Sequence, residues 1–482
     1  MIAPIRLVRL GAFDAARAIV TEHGATLALV GVTLLSAALR VGGLGRKSIW
    51  FDEAVSAGLA VMPIPQLLGA ATADVNPPLY YLLLHVWTPF AAGNDALLRL
   101  PSAVFSAVAV MLTVLLGRAL FNARVGLIGG LFTALCAWHI DLAQEARGYG
   151  LLTCLATGSL LLLWRARSWR GWLGYALVTT LALYTHNYAV FLVLGEALYV
   201  IVTRGITRRA IVAFAVIGVL FAPWLPAALG QLGAVRDDYW IAPPSSTVLA
   251  DTYFAAIAYS PPAHGWGMSV LDRAVRWGIP VLLVLASVAA LRQRSAFLLV
   301  VVLATTVGVP IAISMWITPM YVVRYVAFVL PAFWLLVARG IDALPSNALR
   351  AAVGCAVAIE LCINLLPLYG DPFYGRADFR SAAATLLSQA PAGTVVVHTS
   401  PFTQYPVAYY DGGGFADVVA GDEERNALQA EEFWYVRDYN VQDPAASAAA
   451  DEQARDFLKG RAVLRQFDAA GVHLYHVAAA GQ

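Results

Sequence analysis

Apolar runs of about 15–20 residues, separated by short polar stretches, recur from near residue 25 to near residue 368. They fall near 25–44, 77–92, 97–117, 124–143, 147–164, 171–185, 188–203, 210–229, 274–291, 296–315, 322–338 and 349–368. An apolar helix of about 20 residues crosses the ~30 Å hydrocarbon layer. The pattern therefore predicts a polytopic α-helical membrane protein. After Gly370 it changes: about half of all acidic residues lie within 371–482. There "GTVVVHTS", "EFWYVRDY" and "GVHLYHVA" alternate as strands do, and "ADFRSAAATLLSQA" and "ASAAADEQARDFLKG" carry helical spacing. The expected organisation is a membrane domain over 1–370 and a small soluble α/β domain over 371–482.

Composition sharpens this reading. Of 482 residues, 60% are hydrophobic and 13% charged, where a soluble domain has about a quarter charged. A net charge of +2 gives no footprint for nucleic acid. Cys136, Cys154, Cys355 and Cys362 all lie in apolar runs without a Cys-x-x-Cys pair, which argues against a disulfide framework or structural zinc. The run at 25–44 is too long for a signal-peptide core and no small-residue cleavage site follows, so it reads as a retained first span.

Arginine sets the orientation. Arg6, Arg9 and Arg17 place the N-terminus in the cytoplasm and Asp52 outside. The later arginine groups (Arg118 and Arg124; Arg165, Arg167 and Arg170; Arg204, Arg208 and Arg209; Arg292 and Arg294; Arg339 and Arg350) are all cytoplasmic only if one early segment fails to cross. The segment 77–92, "PPLYYLLLHVWTPFAA", is short, opens on two prolines and contains His85 and Pro89. It is expected to lie in the outer interface. That leaves about 11 spans, a first outer loop at 45–96 with juxtamembrane helices, and an outside C-terminal domain.

The outer face then gathers Lys47, Asp52 and Glu53, then Asn76, Arg99, Glu145, Arg147 and Tyr149. His186, Arg324 and Tyr325 join them, with a long loop over 230–272 that holds Asp237, Asp238, Tyr239 and Trp240. Arg147 and Arg324 sit on the side that the positive-inside rule disfavours, so each needs a carboxylate or an anionic ligand. Arginine presents a rigid fork to phosphate oxygens. A carboxylate beside it can act as general base on an acceptor hydroxyl, while the cations stabilise a departing phosphate. Plainer readings stand beside these. Asp52 and Glu53 suit a helix N-terminus; Arg147 could pair with Glu145 or Asp141; Arg324 could snorkel to headgroups; His186 could be a satisfied hydrogen-bonding residue. Glu196 and Glu360, inside apolar runs, have no role in this scheme.

The ordered series "WFDEA", "NPPLYYLLL", "LLRLPSAV", "EARGY", "THNY" and "VRYVAFVLPA" over roughly 25–340 resembles the GT-C glycosyltransferases. Within them it is similar to bacterial relatives of protein O-mannosyltransferase and of the lipid A aminoarabinose transferase. The resemblance implies an inverting hexosyl- or pentosyltransferase of the bacterial inner membrane, with its active site facing the periplasm. It further implies a polyprenyl-phosphate-linked sugar as donor and an envelope glycan, lipid or protein as acceptor. The resemblance also implies a metal-independent or weakly metal-dependent enzyme: no cofactor is required, and a divalent metal is possible but not indicated. Asp52 would be the base with Glu53 its neighbour. Glu145, Arg147 and Tyr149 would form a second acidic or phosphate-site element, and Arg324 with Tyr325 would contact the donor phosphate. Where many relatives have His before the proline pair, this chain has Asn76, which cannot take a charge. Competing readings are a transporter or flippase of a lipid-linked sugar, a glycan polymerase or ligase, and a non-catalytic subunit of an envelope complex. A transporter favours midplane ionisable groups and internal repeats; here most ionisable residues lie at span ends and no repeat is evident.

Overall fold

The computed structural model describes residues 24–91, 93–237, 241–258, 270–290, 293–370, 376–419, 432–438, 451–452 and 454–478. Arg6, Arg9, Arg17, Asp238, Tyr239, Trp240 and Arg292 lie outside the described residues. Helix α1 is Gly24–Val41. Three short helices follow, α2 (Phe51–Ala60), α3 (Ile64–Ala73) and α4 (Leu79–Ala91). The bundle continues with α5 (Asp95–Leu120), α6 (Ala123–Leu135), α7 (Ala137–Ala143), α8 (Tyr149–Arg165), α9 (Trp169–Leu183), α10 (Ala189–Thr203) and α11 (Arg208–Phe221). Then come α12 (Leu225–Asp237), α13 (Val248–Ile257), α14 (Val270–Ala290), α15 (Arg294–Leu303), α16 (Val309–Trp316), α17 (Leu330–Asp342) and α18 (Asn347–Gly370).

Every segment expected to cross is helical. Six described stretches are long and apolar enough to span by themselves, or seven if the pair α6–α7, bent by 62°, counts as one. Helices α8 and α10, at 17 and 15 residues, are shorter. The segment 77–92 forms α4, whose 13 residues reach only about 20 Å. It packs beside α2 and α5, with the Trp87 indole donating to the Leu97 carbonyl at 2.7 Å. The bundle core is tight where glycines allow it. A Cβ on Gly150 would lie 2.3 Å from the Ser102 carbonyl oxygen, so glycine lets the start of α8 touch α5. That contact brings the 144–149 turn against the top of α2. Glu196 is answered inside the bundle by Ser159 at 2.7 Å and Tyr175 at 2.9 Å, and Glu360 by the Asn364 amide at 3.2 Å.

The C-terminal domain is a five-stranded sheet in the order β2-β1-β3-β5-β4. Strand β1 (Val395–His398) runs parallel to both β2 (Ala416–Val419) and β3 (Glu432–Asp438). Strand β5 (Val472–Ala478) is antiparallel to β3 and β4 (Ala462–Ala469). Alternate side chains serve two faces. Trp434, Val436 and Leu474 pack under α19 (Phe379–Gln389) and α20 (Pro401–Asp411), while Phe433, Tyr435 and Val477 meet Ala454 and Phe457.

This domain seats directly on the first loop. Phe51 of α2 packs against Phe402 at a tilt and edge-to-face against Tyr405 of α20, with ring centroids 4.5 and 5.5 Å apart. The Tyr410 hydroxyl accepts from the Ile49 amide at 2.8 Å and donates to Asp95 at 2.5 Å. Arg380 also pairs with Asp95, at 2.6 Å.

Candidate active site

Trp50 precedes α2, and Asp52 and Glu53 fall in its first turn, where acids suit the helix dipole. Successive residues on a helix point about 100° apart. The two carboxylates therefore part company. Glu53 is wholly buried, in register with Ala57 and Ala60 on the packed face. Both its oxygens receive Arg99 at 2.7 Å, and the Ala146 amide and Arg376 donate at 2.7 and 3.1 Å. Burial pushes the Glu53 carboxyl up, but Arg99, Arg376 and the Ala146 amide more than offset it and hold it below the usual carboxylate range. The remaining Arg99 donors go to the Leu44, Lys47 and Ser48 carbonyls. A carboxylate so closed in by donors ties the loop together and leaves no open surface of its own, in contrast to its neighbour Asp52.

Asp52 keeps open surface. Its carboxylate lies 3.5 Å from Arg324 and 3.9 Å from Arg147. Arg147 pairs with neither Glu145 nor Asp141. It bonds Ser56 Oγ at 3.2 Å, the Tyr81 hydroxyl at 3.4 Å and the Asp52 carbonyl at 3.3 Å. Tyr81 in turn donates to Asp74 at 2.6 Å, and the Asn76 amide reaches the same oxygen at 3.4 Å. Lys47 is taken by Asp141 at 2.5 Å. Glu145 pairs with Arg376 through one oxygen, while the other has no hydrogen-bond partner among the described residues. Burial pushes the Glu145 carboxyl up to about 7, with Asp141 and Glu53 adding to the shift against Arg376.

The "THNY" turn is pinned across the loop, since Asn187 donates to the Val75 carbonyl at 2.9 Å and the Leu79 amide to the Tyr184 carbonyl at 3.0 Å. His186 sits beside Tyr325, centroid to centroid 4.9 Å, with Tyr149 at 6.1 Å. Burial first, then Arg147 and Arg324, push its imidazole down to about 3. The neutral ring accepts the Tyr188 amide on Nδ1 at 3.1 Å. Its proton therefore sits on Nε2, which has no partner among the described residues. His186 lines a small cavity together with Asn76, Tyr81, Arg147 and Tyr149.

The site thus brings together Asp52, Arg147, Arg324, Tyr325, Tyr149, Asn76 and His186, with Lys47, Glu53 and Glu145 in a supporting layer. Among the described residues no three His, Cys, Asp or Glu side chains gather as a metal set. Sequence reasoning missed Trp50 and Arg376. The Trp50 indole carries two guanidiniums, Arg324 at 5.2 Å and Arg376 at 4.8 Å from its centroid. Arg376 comes from the C-terminal domain, and nothing in "GRADFR" sets it apart. Arg99 was legible as an outer-face arginine, but its partner was not.

Residues 75–227 match the family model described as dolichyl-phosphate-mannose-protein mannosyltransferase. No curated protein matches the chain. Among solved structures, ArnT from Cupriavidus metallidurans in the apo state superposes with a TM-score of 0.61 at 13% identity, covering 95% of this chain and 98% of that one. The same enzyme bound to undecaprenyl phosphate gives 0.61 at 13%, covering 94% and 98%. The oligosaccharyltransferase AglB from Archaeoglobus fulgidus, in complex with an inhibitory peptide and a dolichol-phosphate, gives 0.56 at 11%, covering 96% and 75%. The chain is a multi-pass membrane protein with the GT-C glycosyltransferase fold, resembling ArnT and the O-mannosyltransferases.

Proposed function

We propose that this protein transfers a hexosyl or pentosyl group from a polyprenyl-phosphate donor to a hydroxyl of an envelope glycan, lipid or protein, with inversion at the sugar C1. The observation that carries the reading is the Asp52 carboxylate, partly exposed and flanked by Arg324 at 3.5 Å and Arg147 at 3.9 Å. Asp52 takes the proton of the acceptor hydroxyl as its oxygen bonds to C1. The bond from C1 to the phosphate oxygen breaks, and the phosphate leaves with the electron pair. Arg324 and Arg147 hold the charge that develops there. His186 Nε2–H, otherwise unpartnered, offers a neutral donor to a sugar hydroxyl or phosphate oxygen. Lipid phosphate suits this arrangement, as the ArnT complex with undecaprenyl phosphate and the AglB complex with dolichol-phosphate illustrate for those proteins. The site faces the periplasm of a bacterial inner membrane in this scheme, with the soluble domain above it.

Asp52→Asn keeps the shape and removes the proton acceptor. The initial rate of transfer should fall by about 10²-fold or more, while donor binding, measured in parallel in nanodiscs, stays near that of the unmodified protein. Near-normal transfer by this variant would show that Asp52 is not the base.

A further inference from the structure

A cavity of about 880 Å³ lies at the opposite ends of the helices from the acid cluster. Helix α8 begins at Tyr149 beside the site and ends at Arg165 beside this cavity. At 17 residues that is a separation of about 25 Å. Arg167, Arg204, Arg208, Arg209 and Arg294 line it, and among the described residues no carboxylate does.

Three of these arginines are held by neutral groups. Arg167 and Arg204 donate to the Trp164 carbonyl at 2.8 and 2.9 Å, and Arg209 to the Arg167 carbonyl at 2.6 Å. Carbonyls orient a guanidinium without cancelling its charge. Arg208 and Arg294 have no hydrogen bond or ion pair among the described residues. The cations also crowd one another. Burial first, then the like charges of Arg167 and Arg294, pull the Arg204 guanidinium below its usual range despite Tyr199 beside it. The walls are aromatic, with Arg209 over the Trp169 ring at 5.8 Å and Arg204 over Tyr199 at 5.8 Å. Trp and Tyr occupy the headgroup level of a bilayer, and basic pockets between spans on the cytoplasmic side accept phosphate headgroups.

We propose that this pocket binds the phosphate headgroup of an anionic phospholipid from the leaflet opposite the acid cluster. The arginine forks take the phosphate oxygens and the aromatic walls the glycerol and first methylenes. The binding chemistry is that of a phosphate ester, so a free polyanion could in principle use the same donors; the test separates the two.

The full chain is placed in nanodiscs of phosphatidylcholine containing phosphatidylglycerol and released into native mass spectrometry. The unmodified protein should retain phosphatidylglycerol over phosphatidylcholine. Arg208→Gln with Arg294→Gln, which breaks no described bond, should lower that preference roughly 25-fold, about fivefold per arginine. Circular dichroism and thermal unfolding of the double variant check that it folds; should it not, Arg208→Lys with Arg294→Lys, which keeps the charge but loses the fork, should give an intermediate preference. In a second arm, inorganic diphosphate is titrated into detergent-solubilised protein. Binding of diphosphate that matches or exceeds that of the lipid, and that the variant abolishes, would overturn the lipid source and assign the pocket to a soluble polyanion. Equal retention of both lipids by the unmodified protein, or an unchanged preference in a folded variant, would overturn the site.

Discussion

The acid cluster and the arginine-lined pocket at the other end of the helical bundle treat positive charge in opposite ways. At the acid cluster, Lys47, Arg99, Arg147, Arg324 and Arg376 each reach a carboxylate within 3.9 Å. At the other end, Arg167, Arg204 and Arg209 rest on backbone carbonyls. The difference follows from burial. Arg99 has no exposed surface and Arg147 is nearly closed, and a charge removed from water survives only if paired and hydrogen-bonded. Arg167 and Arg209 are exposed and Arg204 is half-buried, so water and headgroups can answer them. Charge density alone does not mark a catalytic centre. What distinguishes the acid cluster is that its pairs are built, leaving Asp52 as the carboxylate that keeps open surface while two arginines attend it.

The largest effect should come from unbalancing the built end. Glu53→Gln leaves the Arg99 guanidinium buried without its counter-ion, a loss of about 3–5 kcal/mol. Thermal unfolding in detergent should show it, and an unchanged transition would mean the ion pair does not hold the loop. Next, Arg324→Ala should weaken the donor by about 10–100-fold, the value of a charge-assisted contact of ~1.5–3 kcal/mol. Arg324→Lys should restore only part of this because the ammonium lacks the planar fork. If neither donor affinity nor turnover changes, Arg324 belongs with the distal arginines as a headgroup anchor.

A smaller effect involves protons. Burial raises the Glu145 carboxyl from an ordinary value of 4.5 to about 7 in the folded chain. Between those values the folded state holds more protons than the unfolded one, so this group's contribution to stability falls as pH rises through the window. Glu145→Gln should flatten the dependence of the melting temperature over that range. An unchanged slope would place its origin elsewhere in the cluster. The smallest effect is expected for Asp342→Asn at the distal end. Its partner Arg124 is about half exposed at 3.4 Å, and such pairs contribute about 0–1 kcal/mol. A loss as large as that of Glu53→Gln would erase the contrast between the two ends.

Much of this was legible in the residues, for reasons that differ by element. The apolar runs mark the helices because lipid demands long uninterrupted hydrophobic stretches. Asp52 stood out as an acid on the heels of such a run. The division of labour between Asp52 and Glu53 was readable in principle, since Glu53, Ala57 and Ala60 share the spacing of a packed helical face; the eye goes to the acid pair and not to the small residues behind it. In the C-terminal domain, "VVVH" and "FWYV" identify β1 and β3, which are covered on both faces. Strands β2 and β4 escaped notice because they are the two edges of the sheet, where exposed positions blur the alternation. Arg376 had no local signature at all. Its role depends on a tertiary contact between residues 323 positions apart, and no pattern in the surrounding sequence encodes such a meeting.

That separation has a consequence for how the protein comes into being. Glu53 emerges from the ribosome early and can meet Arg99 almost at once. Its second cationic partner, which also serves Glu145 and covers the Trp50 ring, follows 323 residues later. At about 5–20 residues per second, the wait is roughly 15–65 s. During that interval the membrane helices can assemble while the carboxylates above them lack their last counter-charge. Biogenesis therefore completes the acid cluster late: the guanidinium that closes it is made only after all the membrane helices.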